Sequence, residues 1–187
     1  MYVSHILLNV QNLGPGNRLG IWFAGCNKHC QGCIADDLKQ THGFIDISPE
    51  DLASIVNYKV AESGASGITV SGGDPLEQEG VIQFLSLLDA PDILVYTGFT
   101  LEEMKSSGLY EMIYKYISVL KCGRYVPSLD NGHPLMGSSN QELIYCKPEY
   151  RKLYTDYISN HQRKLQFYEL AGRLFFSGLP VSSVKGA

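Results

Sequence analysis

Leu19-Gly20-Ile21-Trp22-Phe23-Ala24-Gly25-Cys26-Asn27-Lys28-His29-Cys30-Gln31-Gly32-Cys33 is the stretch around which this chain is organised. Its first part, Leu19 to Ala24, is a near-continuous apolar run, the pattern of a strand covered on both faces. Its second part is a loop with three cysteines at C-x3-C-x2-C. Parallel α/β barrels place their reactive groups at the carboxyl ends of strands, so the loop is expected at the business end of a parallel sheet. Three thiolates are one short of the four protein ligands of structural zinc. In an iron–sulfur cube the same three leave one iron open to something else. Disulfides fit poorly, since three cysteines cannot all pair. Zinc with His29 as fourth ligand and three inert thiols remain as alternatives; the other two cysteines, Cys122 and Cys146, lie far away in the chain.

Upstream, residues 2 to 10 alternate loosely and read as a strand, and Gly14-Pro15-Gly16 reads as a turn. Downstream, Asp36-Asp37 reads as a solvated acidic loop. Ser48-Pro49-Glu50-Asp51 is a helix start, with Ser as N-cap and Pro in the first turn. That helix is expected to run to about Ser63 and to end at Gly64. A buried strand over 67–70 runs into Ser71-Gly72-Gly73-Asp74-Pro75, where paired glycines allow close approach to the backbone. A helix over 77–88, a strand over 92–96 ending at Thr97-Gly98, a capping box at Thr100 and Glu103, two helical pieces broken at Gly108, and a strand over 117–120 follow. Strands and helices thus alternate, which argues for a parallel sheet with right-handed crossovers. There are too few units for a closed eightfold barrel. An α/β fold in the form of an open partial (β/α) barrel is expected.

The chain is expected to be a single domain over 1–187, with a core to about 145 and an extension over about 146–187. In the extension, Tyr150, Leu153, Tyr154, Tyr157 and Ile158 recur at helical spacing. Segments 165–170 and 173–176 flank Ala171-Gly172 as a hairpin. This tail is expected to cover a sheet edge or to meet a partner.

Four features occur in order: Gly14-Pro15-Gly16 with Arg18; the C-x3-C-x2-C loop; Ser71-Gly72-Gly73-Asp74-Pro75-Leu76; and Gly137-Ser138-Ser139-Asn140-Gln141. Over about residues 14 to 145 the chain resembles the radical S-adenosylmethionine (SAM) superfamily, and within it the small single-cluster activases of glycyl-radical enzymes, such as those of anaerobic ribonucleotide reductase. The resemblance implies a [4Fe–4S] cluster on Cys26, Cys30 and Cys33, and SAM against Ser71, Gly72, Gly73, Asp74, Pro75, Ser139 and Asn140. Arg18, Thr97 and Cys122 are further candidates. It implies reductive cleavage of SAM to a 5′-deoxyadenosyl radical, a flavodoxin- or ferredoxin-type electron donor, and a protein substrate on which a glycyl radical is made. Ser118 and Cys122 stand where this family usually carries acidic residues. Modification of another peptide or a small molecule is therefore the alternative; a non-catalytic zinc or iron–sulfur interaction module is the reading from a different class.

Composition sets outer bounds. Of the 187 residues 44% are hydrophobic, and the formal net charge is −4. That is a globular balance without the basic surplus of a nucleic-acid binder. No apolar run reaches the length of a membrane span. The start, Met1 to His5, lacks the basic-then-apolar pattern of a signal peptide. A cytoplasmic enzyme is expected, a setting that keeps thiols reduced.

Overall fold

The computed structural model describes residues 1–180. A seven-stranded sheet forms its centre, from β1 (Tyr2–Val10), β2 (Arg18–Phe23), β3 (Ile45–Asp46), β4 (Gly67–Gly72), β5 (Ile93–Tyr96), β6 (Val119–Cys122) and β7 (Glu142–Tyr145), in the order β3-β1-β2-β4-β5-β6-β7. The inner four, β2, β4, β5 and β6, are parallel. The outer strands β1, β3 and β7 add antiparallel edges. β3 and β7 were not legible in the sequence. Each is short, and both residues of β3 are exposed.

The three parallel steps are bridged by helices, as a return to the same edge requires. These are α1 (Pro49–Ser63) after β2, α2 (Val81–Leu87) after β4, and α3 (Leu101–Ser106) with α4 (Leu109–Ile113) after β5. The expected signals hold them. Ser48 caps α1 by accepting from the Asp51 amide, and Gly64 closes it in the left-handed region at φ 62°. Thr100 and Glu103 form both bonds of the capping box on α3. The helix expected over 77–88 is shorter: residues Pro75–Glu77 make one 3-10 turn, and Gly80, at φ 82°, separates it from α2.

Strand alternation divides the core. Leu19, Ile21 and Phe23 face α1 and α2 in the larger cluster, with Val56, Phe84 and Leu85. Trp22 faces the other way, into a cluster with Leu7, Val10 and Leu38. The C-terminal extension covers this second face, where the sequence reading offered a sheet edge or a partner. α5 (Tyr150–Asn160) seats Tyr154 and Tyr157 against Leu94 and Val119. The hairpin β8 (Gln166–Leu170) and β9 (Arg173–Ser177) places Tyr168 and Phe175 against the Trp22 cluster. Its turn, Ala171-Gly172, has both residues at positive φ, the geometry of a two-residue hairpin loop.

Arg18 belongs to this scaffold. β2 pairs Arg18 with Gly67 at one end and Phe23 with Gly72 at the other, so Arg18 lies at the end of the sheet opposite the cysteine loop. Its fully buried guanidinium donates to Asp92 Oδ2 at 2.6 Å, Ile68 O at 2.6 Å, Thr69 Oγ1 at 2.7 Å and Pro15 O at 3.1 Å. A Cβ on Gly14 or Gly67 would come within 3.0 Å of that side chain. The Gly14-Pro15-Gly16 turn therefore makes room for a buried arginine, and Arg18 is corrected from candidate ligand contact to core ion pair.

Tyr154 completes the pair by donating to Asp92 Oδ2 at 2.8 Å from a fully buried position. Tyr154→Phe is expected to lower the unfolding free energy by about 2 kcal/mol, the scale of a hydrogen bond to a charged group, in urea titrations. A loss below about 0.5 kcal/mol would show that Arg18 alone satisfies Asp92.

Candidate functional site

The parallel strands β2, β4, β5 and β6 end together, and their carboxyl ends carry, in turn, the cysteine loop, the Gly72-Gly73-Asp74 turn, Thr97-Gly98 and Gly123. Ligands in open α/β sheets bind at such a crevice. A cavity of about 300 Å³ opens there, lined among others by Cys26, Cys30, Cys33, Gly73, Asp74 and Lys121. Two stretches far apart in sequence thus meet at one cavity.

The glycine pair explains how the cysteine loop is seated. A Cβ on Gly72 would stand 2.2 Å from Phe23 O, and one on Gly73 would stand 2.4 Å from Gly25 O. Gly73 N donates to Phe23 O at 2.8 Å, and Asp74 N donates to Gly25 O at 3.0 Å. On the other side, Gly25 N and Cys26 N donate to Leu38 O and Lys39 O at 2.8 and 3.1 Å. The glycines admit the loop's own backbone; that close approach is what a side chain would prevent.

Asp74 is 1% exposed and has four donors. Leu76 N lies at 3.1 Å, Thr97 Oγ1 at 2.8 Å, Gly98 N at 2.9 Å and Lys28 Nζ at 2.7 Å. Lys28, in the middle of the cysteine motif, also meets Glu77 at 2.6 Å and lies 3.4 Å from the centre of the Phe99 ring. Burial works against its charge, but Asp74 and Glu77 outweigh that and raise its pKa. Lys28 therefore staples the loop to the turn, and the carboxylate that the resemblance sets against SAM already holds a lysine of this chain.

Thr97, Ser71, Gly72 and Gly73 line the cavity, whereas Pro75 is buried behind the turn. Ser139 and Asn140 are exposed and do not line it; Asn140 Nδ2 donates outward to Arg124 O at 2.9 Å. Their neighbours Gly137 and Gln141 line it instead, with Gln141 Oε1 accepting from Gly137 N at 2.7 Å and Nε2 donating to Gly123 O at 2.7 Å. The polar loop thus turns its ends, not its centre, to the cavity. Cys122 is corrected as well: it is 1% exposed, packs in the helix-side core, and burial pushes its thiol up to about 11. Ser118 sits at the opposite end of β6, bridging to Ile93 through N–H and hydroxyl.

Sequence reasoning missed the second wall. His5 stacks on Trp22 (centroids 4.7 Å apart) and meets Phe175 of the hairpin at 4.5 Å; all three line the cavity. Burial lowers the His5 pKa to about 4, so the ring is neutral at pH 7. Arg163 ties the extension to the polar loop through Asp130 at 2.7 Å and the carbonyls of His133 and Met136. Period-two alternation in β1 and β9 was the one local signal available for this wall, and it does not say which side chains meet.

The donor set fits an iron–sulfur cluster. The three loop thiols are free, half-buried and share the cavity. Burial pushes those of Cys26 and Cys33 up, so metal binding there must displace their protons. Among the described residues no three Cys, His, Asp or Glu side chains converge on one point as a single ion would need. Tetrahedral zinc with bonds of ~2.3 Å calls for sulfurs ~4 Å apart; a cluster binds each thiolate on a different iron and spreads them wider.

An α/β domain with a reduced cysteine loop at the carboxyl end of its parallel strands is the class that fold and site define. Residues 12–144 match the family described as the 4Fe-4S single cluster domain, and the chain belongs to that family. It is similar to the anaerobic ribonucleoside-triphosphate reductase-activating protein of Pasteurella multocida, 30% identical over 163 residues, or 80% of this chain and 99% of that protein. The proteins of the same name from Vibrio cholerae and Enterobacteria phage T4 are 29% and 31% identical, over 76% and 70% of this chain and 96% and 85% of theirs. Among the described residues no helix is long and apolar enough to cross a membrane.

Proposed function

We propose that this chain is a radical SAM activating enzyme that makes a glycyl radical on a partner protein such as an anaerobic ribonucleoside-triphosphate reductase. The observation that carries the reading is the meeting of the C-x3-C-x2-C loop and the Ser71-to-Asp74 turn around one cavity. Relatives named for activating that reductase support it. Cys26, Cys30 and Cys33 hold a [4Fe–4S] cluster, and the backbone of Ser71, Gly72 and Gly73, with Thr97, lies against SAM. When bound and reduced by a flavodoxin- or ferredoxin-type donor, the cluster supplies one electron that cleaves SAM to methionine and a 5′-deoxyadenosyl radical, the species that takes hydrogen from the target.

The chain's own residues seat and shield this chemistry. Lys28 and Asp74 hold the cysteine loop against the turn. His5, Trp22 and Phe175 wall the cavity with apolar surface, which excludes water from a reactive species. The 1–187 chain acts as one domain, an open partial (β/α) barrel whose inner face is closed by its own extension, in the cytoplasm, where thiols stay reduced. Ser118 and Cys122, the departures that motivated a different substrate, are buried away from the cavity and lend that alternative no support.

The test is anaerobic. Protein loaded with iron and sulfide, given SAM and a strong reductant, should release 5′-deoxyadenosine, slowly alone and faster with the partner. The partner should acquire a doublet electron-spin signal. Loaded protein that makes no 5′-deoxyadenosine with or without a partner would overturn the reading. Coupled turnover on a free metabolite would replace the protein substrate while keeping SAM cleavage.

A further inference from the structure

Among the described residues four buried cations stand out, and three meet carboxylates: Arg18 with Asp92, Lys28 with Asp74 and Glu77, and Arg163 with Asp130. Lys121 does not. It is 8% exposed and lines the cavity, and among the described residues its ammonium has no oxygen partner; it lies 5.5 Å from the centroid of the Tyr96 ring. The charged or titratable groups that act on it are Asp74, Cys30, Cys33 and Cys122. Asp74 is already taken by Lys28 at 2.7 Å.

An ammonium held mostly out of water with no carboxylate beside it is disfavoured. Here burial lowers the Lys121 pKa to about 8. A neutral side chain of the same length would fill the same space without that cost. The position makes physical sense if negative charge arrives in the cavity from outside the chain.

We propose that Lys121 is an anion-receiving residue of this cavity, a positioning residue that pairs with negative charge brought in by what binds there. The proposal rests on the reading of the cavity as a cluster and SAM site, and deepens it. That reading supplies two sources of the same chemistry: the thiolates of Cys30 and Cys33 with their sulfide cage, and the carboxylate of SAM. A positive charge beside the cage stabilises its reduced form and raises its potential. Beside the carboxylate it forms a charge-assisted hydrogen bond.

The test compares Lys121→Met, which keeps the stem and removes the charge, with Lys121→Arg, which keeps the charge. In the iron-free chain Lys121→Met should melt at the same temperature as wild type or higher, because the uncompensated charge is gone; a packing role alone would lower it. In loaded protein, a cage source predicts a more negative reduction potential for Lys121→Met in dye-mediated titrations read by electron-spin resonance, with Lys121→Arg near wild type. A carboxylate source predicts SAM binding weakened roughly tenfold to hundredfold, with binding of the decarboxylated analogue unchanged. Unchanged potential and unchanged SAM affinity in Lys121→Met would overturn the proposal, as would a lowered melting temperature with both unchanged. Wild-type protein that takes up neither cluster nor SAM would sink the underlying reading, and the proposal with it. Wild type that takes up both, beside an indistinguishable Lys121→Met, fails the proposal alone.

Discussion

Replacing any one of Cys26, Cys30 and Cys33 with alanine is expected to abolish the cluster. Wild-type protein reconstituted without oxygen should carry about four irons and four sulfides, with broad visible absorption; each variant should lose both. The three thiols are the free, half-buried cysteines of one loop at one cavity. The base of that loop is pinned by backbone hydrogen bonds from Gly73 and Asp74 and to Leu38 and Lys39. Cys122→Ala and Cys146→Ala serve as controls. Both residues belong to the helix-side core, and both variants should keep the full complement of iron. One zinc and no sulfide in wild type, or normal iron in a loop variant, would overturn the assignment.

Asp74→Ala should cost about 3–5 kcal/mol of stability in the iron-free chain, the scale for breaking one side of a buried pair. The substitution leaves Thr97 Oγ1, Leu76 N and Gly98 N without their acceptor and Lys28 with Glu77 alone. Because Lys28 lies between Cys26 and Cys30, the same change should also impair cluster uptake. Read from sequence alone, Asp74→Ala would weaken SAM binding and leave the cluster in place. Urea unfolding and iron counts on the same preparation separate the two views. The double variant Lys28→Met with Asp74→Ala should lose less than the sum of the single changes, since the Lys28–Asp74 contact can be broken only once. An Asp74→Ala protein within about 0.5 kcal/mol of wild type, with normal iron, would show that the carboxylate serves a ligand alone.

Local grammar was legible before any coordinates. The cap and stop of α1, the capping box of α3, the apolar run of β2 and the hairpin at Ala171-Gly172 all rest on contacts between residues a few positions apart. So did the spacing of Cys26, Cys30 and Cys33, which sit in one loop whatever the rest of the chain does. The alternation of strands and helices was enough to argue a parallel sheet, because a parallel return needs a long crossover.

What tertiary structure alone decided is which of the many polar residues share a space. Arg18 precedes the cysteines by a few residues and was read with them; six residues of extended strand carry it to the far end of the sheet, to Asp92 and Tyr154. Ser139 and Asn140 belong to the right loop but face outward, while Gln141 beside them faces in. Lys28 finds Asp74 46 positions along the chain, and Phe175 of the extension finds His5 of the first strand. These meetings depend on strand order and on which face the extension covers. A single chain's periodicity says that a side chain points in, and not what it will meet there, because the partner is chosen by packing between segments that local sequence does not relate.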